Sequence, residues 1–435
     1  MPLPVLTAEE VQFAEMLRES PHVRAPHDHL HGPEASRSGT RAGSKYLDVY
    51  QAGDLVIMQD ADGEWFAKLV EKGLDLNWAL DSIYDAFYDH YEDDYEYLTF
   101  VLVQDFGVFA AFYQPMANDV TGIGYDNQIP GGTFDTTDTK IEGMIFMNYY
   151  GIWTADREVS RYVFGQEFMH RWGSFTEIEH DSIGATELLG RDTAHWSYWL
   201  DTPNSPMEGN DWVDQGDGTW MIDLATSTYS TLDLYLMGLA PAEEVGPQTF
   251  LAVSEADQDA VGRDPTYTPL FLEAQYAAVS DIVVPATPVS FTVDDIIAAE
   301  GAREPAYGDA PTEHHMAMIV VLLADDTLTD REIEKIDELR LSWESDWEAD
   351  VLGRGDLVTT LGSSTAPGWG EPVDTGSPDS GEVDTGDDTG EAVAGDDDTA
   401  EEKAEEPGGC GCDGTGGVAG AGVALAGLMA ARRRR

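Results

Sequence analysis

The chain has 435 residues, 83 acidic side chains against 23 basic ones, and a formal net charge of −60. Hydrophobic residues make up 42% and aromatic residues 10%, enough to build a sizeable core, which excludes wholesale disorder. The charge excludes a general nucleic-acid binder, because phosphate contacts need a basic surface, and it argues against electrostatic docking on anionic lipid.

Residues 1–45 read as an irregular segment. Pro26-His27-Asp28-His29-Leu30-His31 alternates three histidines, which on a strand would share one face, but the flanking Pro26 and Pro33 favour a loop. A globular domain is expected over 46–365. It begins with a strand at Asp54–Gln59, a turn at Asp60–Gly63 and a helix from Leu76 to Tyr91. The continuous β-prone run Tyr97–Gln104 suits a buried strand. Further strands are expected at Val108–Tyr113 and Ile141–Tyr149, then a helix from Arg157 to Phe175. Residues 176–270 are rich in Trp, Asp, Gly and His and read as long ordered loops around a site. Within them Thr231–Gly238 is a compact apolar segment ended by Gly238 and Pro241. A strand at Val289–Val293, a short helix at Asp294–Glu300 and a buried strand at Met316–Leu323 follow. An amphipathic helix, Thr329–Val351, closes the domain behind a capping Thr329. The fold class is α+β.

Residues 366–409 are an acidic linker of Pro, Gly, Thr, Asp and Glu. It has too little apolar surface to offset the entropy of ordering it. Residues 366–435 carry 16 acids and 5 bases, leaving 67 acids and 18 bases on residues 1–365. The acidity therefore belongs mainly to the domain, where it reads as a solubility or salt adaptation of the surface. The only two cysteines are Cys410 and Cys412. The first 409 residues thus form no disulfide, and any zinc site there must use His, Asp, Glu or weaker oxygen ligands.

Gly414 to Ala431 is 18 residues without a charge, near the short limit for spanning a bilayer, and Arg432–Arg435 follow. Cys-Gly-Cys, a short apolar run and terminal arginines, over 410–435, resemble the MYXO-CTERM surface-sorting tail. That resemblance implies export, processing or lipid anchoring at Cys410 or Cys412 by a sorting machinery, passage through the membrane before processing, and display at the cell surface. The first residues show neither a basic n-region nor an apolar h-region, so the expected start lies upstream.

The chemistry centres on Gln166-Glu167-Phe-Met-His170. An HExxH helix sets two histidines one turn apart to hold zinc, with the Glu polarising a metal-bound water. Here Gln166 stands in place of the first histidine. At about 100° per residue, Gln166, Glu167, His170 and Ser174 fall within one arc. The other faces carry Val159, Tyr162, Phe164, Phe168, Met169, Trp172 and Phe175, so the helix should be buried.

Gln166-Glu-Phe-Met-His-Arg-Trp-Gly173 resembles the HExxHRWG helix of secreted bacterial zincin-like metallopeptidases. Leu189-Gly-Arg-Asp-Thr-Ala-His195-Trp-Ser197, Met207-Glu-Gly209 and Leu232-Asp233-Leu-Tyr235-Leu-Met-Gly238-Leu239 match in order. Asp93–Leu98 and Gly122-Ile-Gly124 fit upstream. The resemblance spans roughly residues 90–350. It implies a zincin fold, a twisted sheet packed on an active-site helix with a loop-rich and helical C-terminal part. It implies His170 as a zinc ligand and Glu167 as general base. His195, 25 residues past His170, is the expected third ligand. A metzincin third histidine would fall at Thr176, which disfavours that subclass. His180, Glu187 and Asp233 are alternative ligands, and Tyr198 or Tyr235 would donate to an oxyanion.

Gln166 leaves three outcomes open: zinc held by Gln166, His170 and His195, another residue replacing the missing ligand, or an empty centre. The first functional reading is a surface-displayed zinc metalloendopeptidase acting on peptides or proteins. The second is an inactive homologue serving as a surface binding or adhesion module, with the Trp and Tyr residues of 176–220 suited to carbohydrate or peptide if exposed. A third is a calcium-stabilised surface protein, motivated by Asn210-Asp211-Trp-Val-Asp214-Gln-Gly-Asp217-Gly218, which lacks EF-hand spacing.

Overall fold

The computed structural model describes residues 46–107, 111–125 and 139–370. The His27–His31 stretch, Val108, the linker beyond Gly370, Cys410, Cys412 and the Gly414–Ala431 run lie outside the described residues. The described part is mixed α and β, built on two sheets.

The chain opens with β1 (Asp48–Ala52), β2 (Leu55–Gln59), α1 (Glu64–Glu71) and α2 (Leu76–Tyr88). Strands β3 (Tyr97–Leu102), β4 (Phe112–Pro115) and β5 (Gly143–Tyr149) follow, then helices α3 (Tyr150–Ala155) and α4 (Arg157–Met169). Next come β6 (Trp196–Asp201), β7 (Glu208–Asp214), β8 (Thr219–Asp223), α5 (Thr231–Met237), β9 (Gln248–Ala252), α6 (Glu255–Val261) and α7 (Leu270–Tyr276). The last elements are β10 (Val283–Pro285), β11 (Thr287–Phe291), α8 (Val293–Glu300), β12 (Glu313–Leu322), α9 (Asp330–Asp350) and β13 (Asp356–Val358).

The first sheet runs β1-β2-β12-β3-β5-β4, with β13 beside β12. β2, β12, β3 and β5 are mutually parallel, whereas β1 and β4 run antiparallel at the two ends. Every residue of β3 is buried, because helices cover both faces. This explains why its sequence is continuously apolar rather than alternating. Leu98, Phe100 and Leu102 pack with Trp65, Leu80 and Phe87 of α1 and α2. Tyr97 and Val101 pack on the opposite face with Val159, Phe164 and Phe168 of α4.

Asp156 starts α4 by accepting the backbone N–H of Val159 at 3.2 Å. The helix ends at Met169, not at the expected Phe175. Just past this end the Arg171 guanidinium donates to Glu142 Oε2 at 2.6 Å and reaches Asp119 Oδ1 at 3.1 Å. Trp172 N then bonds Met169 O at 2.8 Å, a tighter closing turn. On its outer side α4 is held by α9. Phe164 and Trp343 stack with centroids 4.6 Å apart, and Trp343 Nε1 donates to Ser160 Oγ at 2.8 Å.

Residues 176–270 are not the expected loops. They supply β6–β9 of a second sheet, ordered β10-β8-β7-β6-β9-β11. Its aromatic strands, such as Trp196-Ser-Tyr-Trp-Leu, are hidden among Asp and Gly turns in the sequence. Gly216 and Gly218, at φ 78° and 89°, turn the β7–β8 hairpin. At the far end of the domain Gln51 N donates to Pro367 O at 2.9 Å, and Trp369 packs edge-on against Tyr50. No helix among the described residues is long and apolar enough to cross a membrane.

Candidate functional site

Gln166, Glu167 and His170 are all buried on α4. His170 Nδ1 lies 3.1 Å from the carbonyl of Gly173. A carbonyl only accepts, so Nδ1 carries a proton. His195, fully buried, packs edge-on against His170 with ring centroids 4.8 Å apart. The two histidines far apart in sequence are therefore neighbours. His195 Nδ1 donates to Arg191 O at 2.8 Å, and its Nε2 accepts from Arg191 Nη2 at 3.1 Å.

The centre of the group is a guanidinium. Arg191 Nη2 lies 2.5 Å from Glu208 Oε1, and Nε of the same side chain lies 3.1 Å from that oxygen. Gln166 Nε2 donates to the same Glu208 oxygen at 3.3 Å. His195 Nε2 stands 3.9 Å from it. Glu208 is 1% exposed, whereas Arg191 is 26% exposed and reaches in from the surface turn Arg191–Thr193. Glu208 and Asp192, which follows Arg191, both hold positive φ, at 77° and 57°. Such backbone is strained for non-glycine residues and persists only where the surroundings fix it.

Electrostatics follow from this burial. Desolvation pushes the Glu167 carboxyl up to about 8, against the pull of Arg191 and of a hydrogen bond from the backbone N–H of Tyr113. Burial also pushes Glu208 up, opposed by Arg191 and Gln166. Burial works against the Arg191 charge, but Glu208, Asp192 and Glu167 together outweigh it and the net direction is up. Arg191 therefore pairs with the buried Glu208 and, at 3.6 Å, with the exposed Asp192, beside a Glu167 whose carboxyl is held by burial well above the usual carboxylate range.

Asp233 organises this arrangement from below. Its Oδ1 accepts from Trp196 Nε1 at 2.7 Å, and its Oδ2 accepts from Ser205 Oγ at 2.8 Å and from Ser230 N and Oγ at 2.7 Å each. Trp196 follows His195 and Ser205 lies three residues before Glu208, so one carboxylate pins both segments. Trp196 N donating to Met207 O at 2.8 Å fixes their register. Asp233, weighed as a ligand, is thus engaged as an anchor.

Other sequence-derived residues are not brought to the centre. Tyr235 OH accepts from Arg303 N at 3.2 Å. Tyr198 is buried beside Arg263, Glu273 and Tyr267. His180 Nδ1 accepts from Ser182 N, and the exposed Glu187 accepts from Gly184 N. Trp196, Trp199, Trp212 and Tyr198 are core residues at 3% exposure or less, so they form no exposed binding platform. Asp214 and Asp217 accept the local N–H groups of Gly216 and Thr219 in the β7–β8 turn.

Among the described residues no three His, Cys, Asp or Glu side chains converge to hold a metal. The chemistry of the group agrees. A zinc ion needs free lone pairs, and here His195 Nε2 and Glu208 Oε1 are both taken by Arg191. As arranged, the residues do not fit zinc. Arg191 and Glu208 are the residues that sequence reasoning missed. Both stood inside matched segments, and the signal was two charged side chains in stretches otherwise destined for the core. No protein-family model, curated protein or solved structure matches the chain.

Proposed function

We propose that this chain is a zincin-like, metallopeptidase-derived protein whose hydrolytic centre has become a structural one, and that it works at the cell surface as a peptide-binding module. The observation that carries this reading is the Arg191 guanidinium seated between His195 and Glu208. It satisfies the charge that a metal would otherwise supply. Gln166 fits the same reading, because its amide donates to Glu208 where a histidine would ligate. Support for the zincin-like fold comes from a mainly parallel sheet ending in an antiparallel strand, β4, with α4 packed against it.

The peptide class follows from β4. It ends the sheet, and among the described residues no strand pairs with its outer side. Its partly exposed end, Gln114–Pro115, is where an extended peptide would add main-chain hydrogen bonds, since Phe112 and Tyr113 are buried. Surface display rests on the resemblance of the 410–435 tail. A hydrolytic reading keeps one supporting observation: Glu167, buried and raised to about 8, receives a hydrogen bond from Tyr113 of β4. A carboxyl raised into this range beside that strand suits proton-transfer work.

The full chain, purified without a metal-binding tag, separates the two. The binding-module reading expects no stoichiometric zinc by mass spectrometry, no cleavage of a mixed peptide library, and retention of extended peptides. One zinc per chain, with cleavage abolished in both His170→Ala and Glu167→Gln, would overturn it in favour of the peptidase.

A further inference from the structure

We propose that the outer face of the second sheet, where β10, β8 and β7 lie side by side, is a docking surface for a basic amphipathic helix of a protein partner. This goes beyond the reading above and does not depend on the β4 edge. Val213 stands opposite Met221 across β7 and β8, and Val283 stands opposite Met221 across β10 and β8. Successive side chains on a strand point to opposite faces. Trp212, Ile222, Ile282 and Val284 are buried at 8% exposure or less. Their neighbours Val213, Met221 and Val283 therefore belong to the outer face. Val213 and Val283 are 40% and 45% exposed. Single exposed valines need no explanation, but these two flank one methionine and make a continuous row about 10 Å long across the strands.

A row of carboxylates runs beside the apolar one. Asp211 and Asp223 face each other two residues along the same strands. The exposed Asp281 stands two residues before Val283, where Ile222 N still bonds Ile282 O at 3.4 Å. Like charges directly opposite oppose strand pairing, and burial together with Asp223 pushes the Asp211 carboxyl up. This stretch of chain supplies almost no cation to answer them. From Asp192 to Ala302 the sequence holds one Lys or Arg, Arg263, and it is engaged by Glu273 at 2.8 Å and by the face of Tyr267 at 4.0 Å. The two rows together specify the partner by complementarity: an apolar stripe for the valines, with Lys or Arg at its flank for the aspartates. Rows about 7 Å apart, two residues along a strand, suit adjoining faces of one α-helix laid across the strands. Its positions i and i+7 span about 10 Å, the length of the apolar row. A second copy of this chain would bring the same carboxylates to the contact and is disfavoured.

The test uses the full chain and a labelled peptide of roughly 16 residues, with Leu on one helical face and Lys at its flanks, read by fluorescence anisotropy. A Lys–Ser peptide of the same charge is the control. The parent should bind the Leu–Lys peptide at least about tenfold more tightly than the Lys–Ser peptide. Val213→Thr/Val283→Thr and Asp211→Asn/Asp223→Asn should each weaken the Leu–Lys complex about tenfold. Glu338→Gln/Glu348→Gln, at exposed positions of α9, removes the same charge as the aspartate pair and should change binding less than about twofold. The substitutions keep side-chain shape, and loss of two facing carboxylates relieves repulsion, so the variants should melt with the parent. Val283→Lys on the end strand β10 is the companion variant. It places a like charge against the peptide at an exposed position that tolerates lysine, and it should abolish binding. No binding by the parent would overturn the proposal. Equal binding of the Lys–Ser peptide, or equal weakening by the α9 pair, would also overturn it, because general acidity would then explain the complex. A dimer of the parent in sedimentation, lost in Val283→Lys, would overturn it in favour of a second copy of the chain.

Discussion

Arg191 and Glu208 meet at 2.5 Å, one side chain at the rim and the other sealed at 1% exposure. Breaking such a pair by removing one partner costs about 3–5 kcal/mol, whereas replacing both is far cheaper. Burial already pushes Glu208 up, so without Arg191 it takes a proton and the loss falls toward the low end. Arg191→Met should therefore destabilise clearly, and Arg191→Met/Glu208→Gln by well under the sum of the single changes. Urea denaturation of the parent, both single variants and the double variant gives the coupling. Simple additivity would mean that the contact contributes nothing.

Glu167 gives the domain a pH signature. In the unfolded chain its carboxyl ionises near 4.5, but in the folded protein it holds its proton to about 8. Below 4.5 both states are protonated and folding is not opposed. Between 4.5 and 8 the unfolded state alone loses the proton, so stability falls as pH rises, levelling above 8. The Glu167→Gln variant lacks this slope. Its advantage over the parent should be near zero at pH 4 and roughly 3–5 kcal/mol at pH 9. Paired melting curves across pH read it directly, and a constant difference would show that Glu167 is ionised in the fold.

Asp233 accepts four hydrogen bonds while fully buried. Asp233→Asn replaces one acceptor oxygen with a donor facing existing donors. Loss of a bond to a charged acceptor costs about 1.5–3 kcal/mol, with more for a donor left unpaired. The variant should lose about 2–4 kcal/mol of stability. Near-ultraviolet circular dichroism should report the freed Trp196. An unchanged stability would remove Asp233 from its anchoring role.

Much of the first sheet was legible because its strands are buried on both faces, so Tyr97–Leu102 and Met316–Leu322 stand out as unbroken apolar runs. Helix caps were legible for a similar local reason: Thr329 and Gly238 act within one turn of themselves. The second sheet was not, because its strands are short and separated by Asp and Gly turns whose composition resembles loop. His195 was expected near His170 and does pack on it, but the Arg191 guanidinium between His195 and Glu208 was not anticipated. Arg191 and Glu208 are 17 residues apart. Nothing local in either segment reveals that a third residue, Asp233, ties both to one point.

The position of α4 depends on α9, and this can be tested away from the site. Trp343 is fully buried, stacks on Phe164 at 3° between planes, and donates to Ser160 Oγ. Both α4 contacts lie more than one turn before His170. Trp343→Ala leaves a large cavity and should cost about 3–5 kcal/mol. Trp343→Phe keeps a ring against Phe164 but forfeits the indole hydrogen bond, so its loss should be smaller, on the order of 1–2 kcal/mol. If α9 holds α4 in register, amide exchange should quicken along Ser160–Met169 in Trp343→Ala and much less in β8, which belongs to the other sheet. Equal quickening everywhere would mean that Trp343 stabilises the domain only globally. The stack would then be packing rather than the clamp that presents Gln166, Glu167 and His170 to Arg191.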